Sequence, residues 1–133
     1  MAATEFKKIE ILFSRLQRER IHKFPKRGER LDAPNEQGVY IICSPAGNVL
    51  HVGSTPRARK GIAQRLRNHL ATQSSFAIKY LNADGSRLRN GYKFRYLIVR
   101  SARQRALLEA LAIGHLCPAH IGVGRSALVE RTK

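Results

Sequence analysis

Five side chains in this sequence, Tyr40, His51, Arg65, His69 and Glu109, have the types and spacing to move protons and to hold an anion and a metal ion. Arg65 and His69 lie one helical turn apart in GIAQRLRNHL, at the edge of the face made by Ile62 and Leu66. They are expected to line the floor of a cleft rather than point into open water. A guanidinium stays charged at any working pH and matches two oxygens of a phosphate at once. Arg67 and Asn68 fall elsewhere on the same helix, and the plainer alternative for Arg65 is a solvated basic face. Glu109 sits mid-helix in LLEALAIGHL with apolar residues on both sides. An unpaired carboxylate there is costly to desolvate, so it calls for either a salt bridge to an arginine or a divalent cation. Mg²⁺ (or Mn²⁺) suits such a position, being commonly held by one or two carboxylates together with water and phosphate. Tyr40 lies in a strand-like run. A phenol ionises near pH ~10, and a neighbouring Arg65 or metal favours the phenolate. His51, with an ordinary pKa of about 6.5, is suited to accept a proton or hold an anion near neutrality.

The charge balance narrows the class of partner. Of 133 residues, 25 are Lys or Arg and 9 are Asp or Glu, a formal net charge of +16. Such an excess speaks for nucleic acid or an anionic surface and says little about fold. The acids are unevenly spread: between Glu36 and Glu130 the sequence holds only Asp84 and Glu109. A carboxylate kept inside so basic a surface implies a specific partner, although Asp84, beside Gly85, reads as a turn former. No apolar run approaches the roughly 20 residues of a membrane-spanning helix. Lys7, Lys8 and Glu10 interrupt any signal-peptide core, so the expectation is a cytoplasmic protein with no membrane partner. Cys43 and Cys117 are too few for a disulfide framework and, among apolar neighbours, are expected to be reduced and at least partly buried. The spacing of His115, Cys117 and His120 matches no common zinc pattern.

The elements that must position these residues follow from the local pattern. Thr4 can cap a helix over 5–22, in which Phe6, Ile9, Phe13 and Leu16 recur at helical spacing. Pro25, Gly28 and Pro34 make 24–37 a loop. The runs 38–44 and 49–53 pair as a β-hairpin around Pro45-Ala46-Gly47-Asn48. A helix over 61–71 follows, then a short helix over 74–81 capped by Ser74 or Ser75, a loop over 82–91 and a strand over 92–99. Ser101-Ala102-Arg103-Gln104 opens a last helix that Pro118 stops near Leu116. The sum is an α+β fold, a small three-stranded antiparallel sheet flanked by helices. The expected divisions are an N-terminal helix and basic loop (1–35), a central domain (36–121) and a C-terminal tail (122–133).

The stretch GVYIICSPAGNVLHVGSTPRARKGIAQRLRNHL, with Gly38-Val39-Tyr40, His51-Val52-Gly53, Arg65 and His69, resembles the GIY-YIG nuclease superfamily. The resemblance covers 38–121. It implies the same three-stranded architecture and a metal-dependent endonuclease that hydrolyses DNA, leaving a 5′-phosphate and a 3′-hydroxyl. By this likeness Tyr40 helps to activate the attacking water, Arg65 clamps the scissile phosphate, His69 or His51 shares the proton transfer, and Glu109 holds Mg²⁺. His51 stands where the family usually has a second tyrosine, and Pro118-Ala119-His120-Ile121 lacks the asparagine common after that proline. Ser54, Thr55, Arg57, Arg59 and Lys60, with Arg67, are expected to contact the backbone of single- or double-stranded DNA, positioning it without reading sequence. No protein partner is implied. The alternatives are an inactive nucleic-acid-binding module on the same fold and a basic RNA-binding protein.

Overall fold

The computed structural model describes residues 4–56 and 61–122. Arg57, Arg59 and Lys60, and the tail beyond 122, lie outside the described residues. In order, the chain forms α1 (Glu5–Arg18), β1 (His22–Lys23), β2 (Gly38–Cys43), β3 (Val49–Ser54), α2 (Ile62–Leu70), β4 (Lys93–Ile98) and α3 (Ala102–Leu116). A π-helical turn (Phe76–Tyr80) and a 3₁₀ turn (Gly85–Arg89) lie between α2 and β4. The sheet is antiparallel with the order β1-β4-β2-β3.

The sheet therefore has four strands where three were expected. The extra strand begins at His22, the last residue assigned to the first helix. That helix ends at Arg18, and Glu19 is already extended. His22 then pairs with Phe94 and Lys23 with Lys93. The His22 ring stacks on Phe94 and Tyr96, at centroid distances of 5.2 and 5.3 Å, and its Nδ1 lies 3.1 Å from the Asp32 carboxylate. These long-range contacts override the helical preference of Glu19 and Arg20.

Gly38 to Ile42 are all buried, as a strand covered on both faces must be. Val39 and Ile41 face α1 and α3, packing with Ile9, Phe13, Leu16 and Leu108. Tyr40 and Ile42 face the other way, toward α2 and the π-helical turn, with Ile62, Leu66 and Phe76. Each fully buried Leu or Ile of these layers contributes about 1.5–3 kcal/mol. The expected capping holds: Thr4 Oγ1 accepts from the Lys7 amide and Ser101 Oγ from the Gln104 amide. Asp84 is indeed a turn former, capping the 3₁₀ turn within the expected loop by accepting from the Ser86 amide. Cys43 is half-buried, whereas Cys117 is exposed, because it forms the left-handed end of α3 (φ 48°) instead of packing. No helix among the described residues is long and apolar enough to cross a membrane.

Candidate functional site

β3 is an edge strand of the sheet, and the candidate residues gather around its buried half. Tyr40 and His51 stand on neighbouring strands, β2 and β3, on the face covered by α2. The α2 residues Ile62, Leu66 and His69 are buried, while Arg65 is half-buried beside them. Arg65 thus sits at the edge of the buried face of α2, as its spacing implied, while His69 lies further inside than expected. Gly53 makes room for Tyr40: a methyl group at Gly53 would overlap the tyrosine hydroxyl and ring. The small residue of the His-Val-Gly run thus sets where the phenol lies.

The Tyr40 hydroxyl is 2.7 Å from His69 Nε2, and His69 Nδ1 is 2.6 Å from Ser74 Oγ. Hydrogen-bond accounting assigns the protons. A buried phenol needs an acceptor, and the Arg65 guanidinium beside it can only donate. Tyr40 therefore donates to Nε2, and His69 carries its own proton on Nδ1 and donates it to Ser74. Ser74 Oγ also accepts from the Ala77 amide, which fixes the hydroxyl at the start of the π-helical turn.

Around this pair the rings close in. His51 lies 5.1 Å from His69 and is stacked on Phe76 at 4.9 Å. His120 lies 5.5 Å from His51. It gets there because the chain beyond α3 runs back along the edge strand: the Ala119 and His120 amides donate to the Val49 and Leu50 carbonyls. The proline after α3 was the one signal for this return, and it gives no direction. His120 thus joins the group although its sequence context assigned it no role.

Burial dominates the electrostatics. It raises the Tyr40 pKa to about 12, against the pull of Arg65, so the expected lowering by Arg65 is outweighed. It lowers His51 to about 3, helped by the charges of His120 and Arg65. His69 falls to about 2 through burial first, then His51, Arg65 and His120. His120 is also lowered, by burial and by Lys79. At neutral pH the site therefore holds a neutral phenol and neutral imidazoles, with Arg65 as a fixed positive charge beside them. The loss of a proton-accepting His51 below about pH 6.5 that an ordinary imidazole implies is moved far into the acid range.

Two buried polar atoms, His51 Nδ1 and Arg65 Nε, have no hydrogen-bond partner among the described residues. Buried donors are normally paired, so a buried guanidinium nitrogen without a partner suits an anion that arrives from outside. Glu109 reaches the same region from α3. It is half-buried, one oxygen accepts from Ser54 Oγ at 2.7 Å, and its charge is felt at Tyr40. Among the described residues no Lys or Arg forms an ion pair with it. No three His, Cys, Asp or Glu side chains among them are arranged to hold a metal by themselves.

The remaining candidates are placed apart. Thr55 is buried; its hydroxyl donates to Gln37 Oε1 and accepts from the Gly38 amide at 3.1 Å, tying the end of β3 to the start of β2. Arg67 is exposed on the far side of α2. The chain matches no family model, and no curated protein matches it.

Proposed function

We propose that this protein is a GIY-YIG-type endonuclease, a Mg²⁺- or Mn²⁺-dependent hydrolase of DNA phosphodiesters. The observation that carries the reading is the Tyr40–His69 hydrogen bond beside Arg65, whose buried Nε has no partner among the described residues. A phosphodiester on Arg65 would pair that nitrogen and offset the guanidinium charge, one of the causes holding His51 and His69 neutral. Substrate binding then makes His69 a better base. Tyr40 takes a proton from the attacking water as it passes its own to His69 Nε2. The water oxygen forms the new bond to phosphorus and the bond to the 3′ oxygen breaks. Arg65 holds the phosphoryl oxygens through the charge build-up.

Glu109 would hold the divalent cation. A half-buried carboxylate with one hydroxyl partner retains free lone pairs, and Mg²⁺ commonly takes one or two carboxylates with the rest of its shell from water and phosphate. When bound, the ion supplies Lewis-acid stabilisation of the phosphoryl and leaving oxygens.

A second reading, a non-catalytic nucleic-acid-binding module, draws on the packing of His51, which lies stacked on Phe76 as a core ring would. Turnover separates the two. The wild-type chain is expected to nick supercoiled plasmid in Mg²⁺ or Mn²⁺ and to be silent in EDTA. Single-stranded and duplex oligonucleotides assayed in parallel identify the substrate form. Binding without cleavage in either metal would select the module.

A further inference from the structure

On the side of α2 away from Arg65 and His69, the 25–35 loop, α2 and the 3₁₀ turn enclose a cleft of about 390 Å³. Three arginines line it: Arg30 from the loop, Arg67 from α2 and Arg89 from the turn. Its floor includes Leu31, Ala63 and Leu70. On α2, Ala63, Arg67 and Leu70 form one stripe, about 150° around the helix from Arg65 and His69 at 3.6 residues per turn. The cleft is therefore distinct from the candidate active site, with the helix between them.

It is also continuous with two further hollows. Arg89 is shared with one lined by Lys26 and Arg27, and Arg30, Leu31 and Ala33 are shared with one lined by Asp32 and Tyr96. The result is a trough carrying Lys26, Arg27, Arg30, Arg67 and Arg89. None of these five cations belongs to an ion pair among the described residues. The two carboxylates along the trough are already engaged. Glu29 accepts from the Lys26 amide, and Asp32 faces His22 and Arg20. The trough is a built feature: Arg89 donates to the Pro25 carbonyl at 2.9 Å, and the Phe24 amide donates to the Tyr92 carbonyl at 3.1 Å, pinning the loop to the core.

We infer that this trough is a second nucleic-acid contact, an exosite that holds the DNA phosphate backbone away from the point of cleavage. The inference rests on the DNA reading of the active site. A row of guanidiniums that form no ion pair among the described residues, over a partly apolar floor, suits phosphates with their sugars against the hydrocarbon. Anchored one helix diameter from Arg65, it would fix the path of a strand across α2 and leave bond-breaking to the other face.

The test uses the full chain with a fluorescein-labelled 20-base-pair duplex in EDTA, so that binding is read without cleavage. Arg30→Glu/Arg67→Glu is compared with Lys7→Glu/Lys8→Glu. The second pair makes the same charge change on α1, which covers the opposite sheet face. Both pairs are exposed, and circular dichroism melts check folding. The trough variant should bind at least about tenfold more weakly, with a log K against log[salt] slope shallower by about 2. The α1 variant should change by less than about threefold. Equal effects of the two pairs, or an unchanged salt slope in the trough variant, would overturn the exosite while leaving the nuclease reading standing. If the wild type binds through the trough and yet never cleaves, the exosite survives and the nuclease reading falls.

Discussion

At the scale of single residues, the proposed chemistry depends on which atom carries which proton. Ser74 accepts from His69 Nδ1 and so keeps Nε2 free to receive the Tyr40 proton. Ser74→Ala should lower kcat on the order of tenfold with little change in KM. Ser74→Thr, which keeps the hydroxyl, should recover most of the loss. Losing the Ala77 amide contact costs about 1 kcal/mol of stability in either reading, so the split between kcat and KM is the deciding measurement. Equal activity of the alanine and threonine variants would show that the tautomer is set elsewhere. That Tyr40, Arg65 and His69 come together was legible from residue types at helical or strand spacing. Their protonation states were not, because burial sets them and local sequence does not encode it.

At the scale of elements, the hairpin β2–β3 and the start of α3 were readable because their signals are local: β-type runs, a turn tetrapeptide and a capping serine. β1 was not, since His22 finds its partner Phe94 on β4, far along the chain. The course of Ala119 and His120 along the edge strand was hidden for the same reason. Thr55, read as a phosphate contact, is held in the strand end by partners at Gln37 and Gly38. Gly53 shows how an element shapes the site. Gly53→Ala should push the Tyr40 ring off its position, costing about 1–3 kcal/mol and most of the activity. An alanine variant with wild-type denaturation and cleavage would mean that Tyr40 tolerates displacement.

At the scale of the whole molecule, the buried histidines make folding sensitive to acid. The folded pKa values of His51 and His69, about 3 and about 2, lie below the unfolded value near 6.5. Between these limits the unfolded chain binds protons that the folded chain refuses, so stability is complete above about pH 6.5 and declines as the pH falls. Each histidine contributes up to about 1.4 kcal/mol per pH unit in that window. Urea midpoints should therefore be constant from pH 8 to 7 and fall between pH 6.5 and 5, with His51→Phe showing a shallower decline. A midpoint that stays level down to pH 5 would place the two imidazoles in contact with water.

The central claim is that the Tyr40–His69–Arg65 cluster breaks phosphodiesters with a metal held by Glu109. The most direct measurement compares the wild type and Glu109→Ala for plasmid nicking in Mg²⁺ and for duplex binding in EDTA. The account predicts that nicking is lost while binding is kept or slightly strengthened, because most of the affinity comes from Lys and Arg on phosphates. Near wild-type nicking by Glu109→Ala would contradict it.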